Sequence, residues 1–309
     1  MKKTTRKKRD WLFRFLGAFI LIIAILATSA YFKVTNTVKQ IHEPIHRVMS
    51  VKRETPVSIK EQEPISLLFL GVDERKGDKG RSDTIIVVTV NPTTNTTKMI
   101  SIPRDTYTEI QGTGVRDKIN HAYAFGGIEM SLRTVEHFLD IPIDYVVQIN
   151  MESFKDIIDA VDGITINNPT EFTSLGSSFS KGTISLTGDQ ALNYIRMRYE
   201  DPHGDFGRQD RQKLVAQAML RKGASVNSLL HYQQIFKTVE NNVRTNMEFN
   251  EMIEIQKQYK EALGKIDQLF FKKGQGKEMK NTWYYIPDKN ELKEVQNEFK
   301  SHLNLNTLQ

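Results

Sequence analysis

Alternating short apolar runs and helix-period segments predict an α/β protein: one three-layer domain with a central mixed β-sheet flanked by helices. "ISLLFLGV" (Ile65–Val72) and "TIIVVTVN" (Thr84–Asn91) are continuous apolar runs of strand length, the signature of strands buried on both faces. The turn cluster "NPTTN" separates the second run from a third, "TKMISI" (Thr97–Ile102), which predicts an antiparallel meander. Helices and strands then alternate in one pattern instead of segregating into blocks.

Along the chain, apolar spacing over Ile128–Phe138 predicts a helix, "DYVVQIN" (Asp144–Asn150) a strand, and Met151–Val161 a helix ended near Gly163. "ALNYIRMRY" (Ala191–Tyr199) reads as a strand. Arg208–Lys222 reads as a helix stopped by Gly223, with more helix across 229–265. "TWYYIP" (Thr282–Pro287) closes as a strand. The folded domain is expected over 64–309. Residues 33–63, polar and dotted with Pro44 and Pro56, are expected to form a stalk.

The basic charge is local. Net charge is +6, from 43 Lys and Arg against 37 Asp and Glu. Residues 1–14 hold seven of the bases and only Asp10 of the acids, which leaves 36 of each sign elsewhere. A body of zero net charge has no global field to draw a polyanion, so no nucleic-acid partner is expected. Phe15 to Phe32 is uncharged, with Trp11 and Tyr31 near its ends. That length spans a bilayer, so 11–32 is read as a membrane anchor following a cytoplasmic basic tail, 1–10. Lys and Arg before the span place the C-terminal domain outside the cytoplasm. With no cysteine in the chain, disulfides and thiolate metal sites are excluded.

The meander has a chemical consequence. Its geometry brings "GVDER", "GRSD" and "SIPRD" to one end of the sheet, gathering Asp73, Arg75, Arg81, Asp83, Arg104 and Asp105 at one rim. Carboxylates that close repel unless a cation lies between them, and hard oxygen donors favour Mg²⁺ (or Mn²⁺). "IRMRYEDPHGDFGRQDRQ" adds to the rim. A strand through "YIRMRY" places Arg196 and Arg198 on one face and Ile195 and Met197 on the other. In the following helix, Leu214, Val215, Ala218 and Met219 mark the inward side. Arg208, Arg211 and Gln212 continue that side at its N-terminus, while Gln209 and Lys213 point outward. Arginine forks match phosphate oxygens, so the stretch reads as half of a phosphate clamp, its arginines oriented by Asp201, Asp205 and Asp210. His121, in "KINHAYAFGG", lies on a loop leading into a helix; it is weighed as a catalytic base and disfavoured, because no partner carboxylate is spaced for it. No nucleophile elbow, Walker loop, HExxH or dinucleotide fingerprint occurs.

Together, "LFLGVDER…GRSDTIIVVTVNP…ISIPRDTY", "KINHAYAFGG", "IPIDYVVQIN" and "YIRMRYEDPHGDFGRQDRQ" resemble the LytR–CpsA–Psr family, over about residues 64 to 225. The nearest resemblance is to its wall teichoic acid transferases from Gram-positive bacteria. It implies a membrane-anchored enzyme that moves a glycopolymer from an undecaprenyl-diphosphate carrier to the C6 hydroxyl of N-acetylmuramic acid in peptidoglycan. By the same resemblance Asp73 and Asp83 hold Mg²⁺ near the diphosphate. Arg81, Arg104, Arg196, Arg198 and Arg208 bind that diphosphate with Gln212, and the lipid tail enters an apolar tunnel between sheet and helices. Arg75 and Arg211 join the diphosphate group on position alone. Asp73, Asp83 and Arg104 are expected to be catalytic, with Asp73 or Asp83 the proton acceptor. A non-catalytic polyprenyl-phosphate binding module is the alternative, and a membrane-bound transcriptional attenuator a weaker one.

Overall fold

The computed structural model describes residues 49–73, 80–197, 205–225 and 243–305. The meander forms as expected: β1 (Ile65–Val72), β2 (Ser82–Asn91) and β3 (Thr96–Ser101). A hairpin follows, β4 (Tyr107–Ile110) and β5 (Val115–Lys118), and then α1 (His121–Leu139). Gly126 and Gly127 interrupt α1 with non-helical backbone, Gly127 at φ +63°, which is why helical spacing is legible only from Ile128. Next come β6 (Tyr145–Asn150), α2 (Met151–Ala160), β7 (Ile164–Asn168), β8 (Phe172–Ser174), β9 (Ser177–Phe179) and β10 (Gly182–Leu186). The chain continues as α3 (Gly188–Arg196), α4 (Asp205–Ser225), β11 (Val243–Thr245), α5 (Phe249–Gln258) and α6 (Lys260–Gly264). β12 (Ile266–Gln268), β13 (Gln275–Met279), β14 (Thr282–Ile286) and α7 (Lys289–His302) close it.

The central sheet is mixed, in the order β11-β6-β1-β2-β3-β12, with β1 parallel to β6 and β12 parallel to β3. The period of two along each strand sends alternate side chains to opposite faces. Leu68, Leu70, Ile85, Val87 and Ile100 meet Leu132 and Val135 of α1 and Val295 and Phe299 of α7. Ile65, Leu67, Ile86, Val88 and Met99 meet Tyr259, Ala262 and Leu263 around α6. Both faces are therefore covered, as the unbroken apolar runs require. A third core joins α2, α3, α4, β7 and β10 through Ile158, Ile164, Leu186, Leu192 and Val215.

Three expectations are corrected. Over its described part, Ala191 to Met197, "ALNYIRMRY" is not a strand. Thr187 Oγ1 accepts from the Gln190 N–H and Gln190 Oε1 accepts from the Thr187 N–H, a capping box that starts a helix ending at Arg196. Arg196 therefore ends a helix and is not on a strand face, while Arg198 lies outside the described residues. Next, Gln209 and Lys213 are buried, not outward, because α4 is covered on more than one flank. Lys213 pairs with Asp210 at 3.2 Å and lies over the Phe270 ring at 4.4 Å, and burial lowers its ammonium pKa. Finally, residues 49–63 do not stand away from the domain. Arg53 binds Asp144 through two nitrogens at 2.9 and 2.7 Å, Ile59 is buried, and Tyr259 donates to the Glu63 carbonyl at 2.7 Å.

Asp144 also accepts from the Ser66 N–H and hydroxyl, both at 2.9 Å. Asp144→Ala strands a nearly buried guanidinium and should cost about 3 kcal/mol, measured by urea unfolding. His302 is buried between Thr89 and Thr96, and burial, aided by Lys98, pushes its pKa down to about 4. The unfolded chain then binds a proton that the folded chain refuses. Stability should be full above about pH 6.5 and fall by on the order of 3 kcal/mol as pH approaches 4. His302→Gln should flatten that fall in unfolding curves taken at successive pH values.

Candidate functional site

The rim is built by a defect in the sheet. Gly71 pairs with Thr84 and Val72 with Ser82, which leaves Asp83 as the extra residue of a β-bulge. Bulges bend the strand and re-aim the side chain they carry. Beyond it the Asp73 N–H reaches the Arg81 carbonyl at 3.3 Å, so both aspartates leave the sheet at the same end. β3 returns there, with the Ile102 N–H on the Ile85 carbonyl at 2.8 Å. Arg104 follows, and its Nη1 donates to Asp83 Oδ1 at 2.9 Å. Its Nε lies 3.7 Å from Asp105 Oδ2, and Lys118 Nζ reaches Asp105 Oδ1 at 2.6 Å. The expected convergence of Asp73, Asp83, Arg104 and Asp105 is thus present. Lys118 is an addition, brought by the pairing of Lys118 with Tyr107 across β4–β5.

Behind the rim lies a cavity of about 450 Å³ between the sheet and helices α2, α4 and α5. Leu67, Phe69, Ile86 and Val88 line it from the sheet. Ile157, Ala216, Met219, Leu220, Met252 and Ile255 line it from the helices. Gly71, Thr84 and Asn150 bring the lining to the bulge, since Asn150 pairs with Val72. A Cβ at Gly71 would stand 2.9 Å from Thr84 Cβ, so glycine is what lets the two strands close here. Gln212 lines the cavity from α4, and Arg208 stands half-buried one turn before it, on the same side of the helix.

Other expected clamp residues are placed differently. Arg211 is buried, with Nε on the Tyr194 carbonyl at 3.1 Å and Nη2 on the Met197 carbonyl at 2.5 Å. It also lies over the Phe172 ring at 5.5 Å. Those contacts tie α4 to the end of α3, because terminal helix carbonyls need donors. Arg196 and Arg81 are exposed. Arg75, Arg198 and Asp201 lie outside the described residues, as does the side chain of Asp205. Asp210 turns to Lys213.

Among the described residues no three carboxylates or imidazoles cluster as a metal cage. Mg²⁺ rarely needs one, since it keeps waters and is usually held by one or two carboxylates plus substrate phosphate. Asp73 and Asp83 fit that donor set. His121 departs from expectation: its Nδ1 lies 2.7 Å from Asp117 Oδ2. The partner precedes it by four residues, across the junction of β5 and α1, where helical spacing gives no warning.

The LytR_cpsA_psr family model matches residues 28–301. Polyisoprenyl-teichoic acid–peptidoglycan teichoic acid transferase TagU of Bacillus subtilis is 49% identical over 308 residues, covering 98% of this chain and 99% of the relative. The TagU of Bacillus licheniformis is 48% identical, covering 98% and 100%. The crystal structure of B. subtilis TagU superposes with a TM-score of 0.65 at 50% identity, over 78% of this chain and 97% of that one. TagT bound to LIIa-WTA superposes with a TM-score of 0.73 at 31% identity, over 85% and 100%. With a matched family model, full-length relatives and a shared fold, the chain belongs to the LytR_cpsA_psr family.

Proposed function

We propose that this chain is a glycopolymer phosphotransferase. It moves a teichoic-acid-type polymer from an undecaprenyl-diphosphate carrier to the C6 hydroxyl of N-acetylmuramic acid in peptidoglycan. The observation that carries this reading is the apolar cavity that ends at a charged rim. Aliphatic walls suit a polyprenyl chain, and the polar end holds arginine and carboxylate where a diphosphate would emerge. The names of the TagU relatives state the same donor and acceptor classes.

In the reaction the acceptor oxygen bonds to the phosphorus that carries the polymer. The anhydride P–O bond breaks, and undecaprenyl phosphate leaves with the electron pair. Such a transition state is stabilised mainly by positioning and charge. Arg104 supplies a guanidinium already aimed by Asp83, so little reorganisation is needed when the phosphates arrive. Arg208 stands on the same flank of α4 as Gln212 and contributes to the donor end. Mg²⁺ (or Mn²⁺), held by Asp73 and Asp83, would neutralise charge on the diphosphate. The test is transfer by the purified full-length chain from an undecaprenyl-diphosphate glycopolymer to peptidoglycan. EDTA should abolish it and excess Mg²⁺ restore it; transfer undiminished in EDTA would remove the metal from the site.

The membrane reading belongs to the same proposal. Residues 11–32 would anchor the enzyme at the cell membrane with the domain outside, where peptidoglycan lies. That segment falls outside the described residues, among which no helix is long and apolar enough to cross a membrane. Reporter fusions at the two termini test it, and a cytoplasmic C-terminus would overturn it.

A further inference from the structure

A hydroxyl that attacks phosphorus must lose its proton, and the rim carboxylates are poor candidates to take it. Asp83 is engaged by Arg104, and metal binding would occupy both aspartates. We propose that His121, oriented by Asp117, is the group that accepts the proton of the acceptor hydroxyl. This rests on the transfer reaction given above.

The dyad is held in place from several sides. Asp117 Oδ2 meets His121 Nδ1 at 2.7 Å, while Asp117 Oδ1 accepts from the Lys118 N–H at 2.8 Å and from the Tyr284 hydroxyl at 3.3 Å. Burial alone would raise the Asp117 carboxyl, but the hydrogen bonds from His121, Lys118 and Tyr284 outweigh it and hold its pKa below the usual value. An ionised Asp117 only accepts hydrogen bonds, so the His121 nitrogen facing it, Nδ1, carries a proton, and in the neutral ring the lone pair is then on Nε2. Nε2 makes no hydrogen bond among the described residues. The side chain is about one-fifth exposed, so solutes can reach it.

The dyad also belongs to the rim. The Asn120 N–H donates to the Arg104 carbonyl at 3.3 Å, and the Ile119 N–H to the Thr106 carbonyl at 2.8 Å. Lys118 and Arg104 share Asp105. His121 is therefore strapped to the segment that carries Arg104. Its position relative to the cavity fits in-line displacement. The cavity lies on the sheet face formed by Leu67, Ile86 and Val88, whereas α1 packs on the opposite face through Leu132 and Val135. A donor whose lipid fills the cavity has its leaving phosphate on one side of the rim. The acceptor then enters from the α1 side, opposite the leaving oxygen, as phosphoryl transfer requires. Phe125, half-exposed with its ring 5.9 Å from the imidazole, offers an apolar surface there for a sugar ring.

In the step, the acceptor O–H bond breaks as the O–P bond forms. The proton passes to His121 Nε2, the anhydride bond breaks, and the imidazolium later returns its proton to water. The test uses the full-length chain with undecaprenyl-diphosphate glycopolymer and peptidoglycan. His121→Ala should lower kcat by about 100-fold or more, with donor binding and melting temperature unchanged, and added imidazole should restore part of the rate. Asp117→Asn should lower kcat less, by about 10-fold, with the same unchanged donor binding. A His121→Ala enzyme that transfers at the wild-type rate overturns the dyad's role. So does one that gains nothing from imidazole, or one that loses donor binding in step with rate. An unaltered enzyme without transfer overturns the proposed reaction, and the dyad's role with it; an active enzyme with an equally active variant overturns the dyad alone.

Discussion

Arg104→Ala should reduce polymer transfer by about 100- to 1000-fold, with the loss mainly in kcat, because it removes a donor aimed at charge that grows in the transition state. The size follows from the geometry. Arg104 is fixed by Asp83 at 2.9 Å and flanked by Asp105 at 3.7 Å, on a turn closed by the Thr106 N–H to Pro103 carbonyl bond at 2.9 Å. A guanidinium so held loses little entropy on meeting phosphate. Arg104→Lys keeps the charge but loses the planar fork, and should retain roughly a tenth of the activity. Asp83→Ala should fall as far as Arg104→Ala, since it releases the guanidinium and removes an oxygen donor at once. Released undecaprenyl phosphate, counted against time, measures all three. An Arg104→Ala enzyme within a few-fold of wild type would show that the rim is not where phosphate charge is stabilised.

Ala216→Trp should act through the other end of the substrate. Ala216 lies on α4 and lines the cavity opposite the sheet, so a large ring there occupies space intended for lipid. Overpacking costs about 1–3 kcal/mol where atoms are already in contact. Here the cost should appear only when a long chain competes for the space. The expected result is a loss of about 10- to 100-fold in kcat/KM for an undecaprenyl donor. A donor bearing a short prenyl chain should react at an unchanged rate, and the melting temperature should stay close to wild type. Equal losses for both donors would place the lipid elsewhere.

What the residues revealed before any coordinates depended on which forces dominate locally. The meander was legible because β1 and β2 are buried on both faces, which forces unbroken apolar runs, and because the "NPTTN" turn admits few connections. Topology then brought Asp73, Asp83, Arg104 and Asp105 to one rim without knowledge of any side-chain contact. The bulge at Asp83 left no trace, since one extra residue in a strand changes no pattern of composition. "ALNYIRMRY" misled because its alternation mimics a strand, while the deciding signal, the Thr187–Gln190 capping box, lies just before it. Arg211 shows the limit of helical counting. The spacing correctly put it on a buried side of α4, yet its guanidinium serves the carbonyls of Tyr194 and Met197. α7 escaped notice because its buried stripe, Val295, Phe299 and His302, is thin amid charge. Asp117 and His121 escaped as a pair because a strand and a helix meet between them.

The most direct measurement is a single-enzyme reconstitution. The purified full-length chain is given an undecaprenyl-diphosphate glycopolymer, peptidoglycan and Mg²⁺, and both products are quantified. One undecaprenyl phosphate should be released for each polymer chain joined to an N-acetylmuramic acid C6 oxygen through a phosphodiester. Retention of the intact donor with no polymer joined would contradict enzymatic transfer and leave a lipid-diphosphate binding protein in its place.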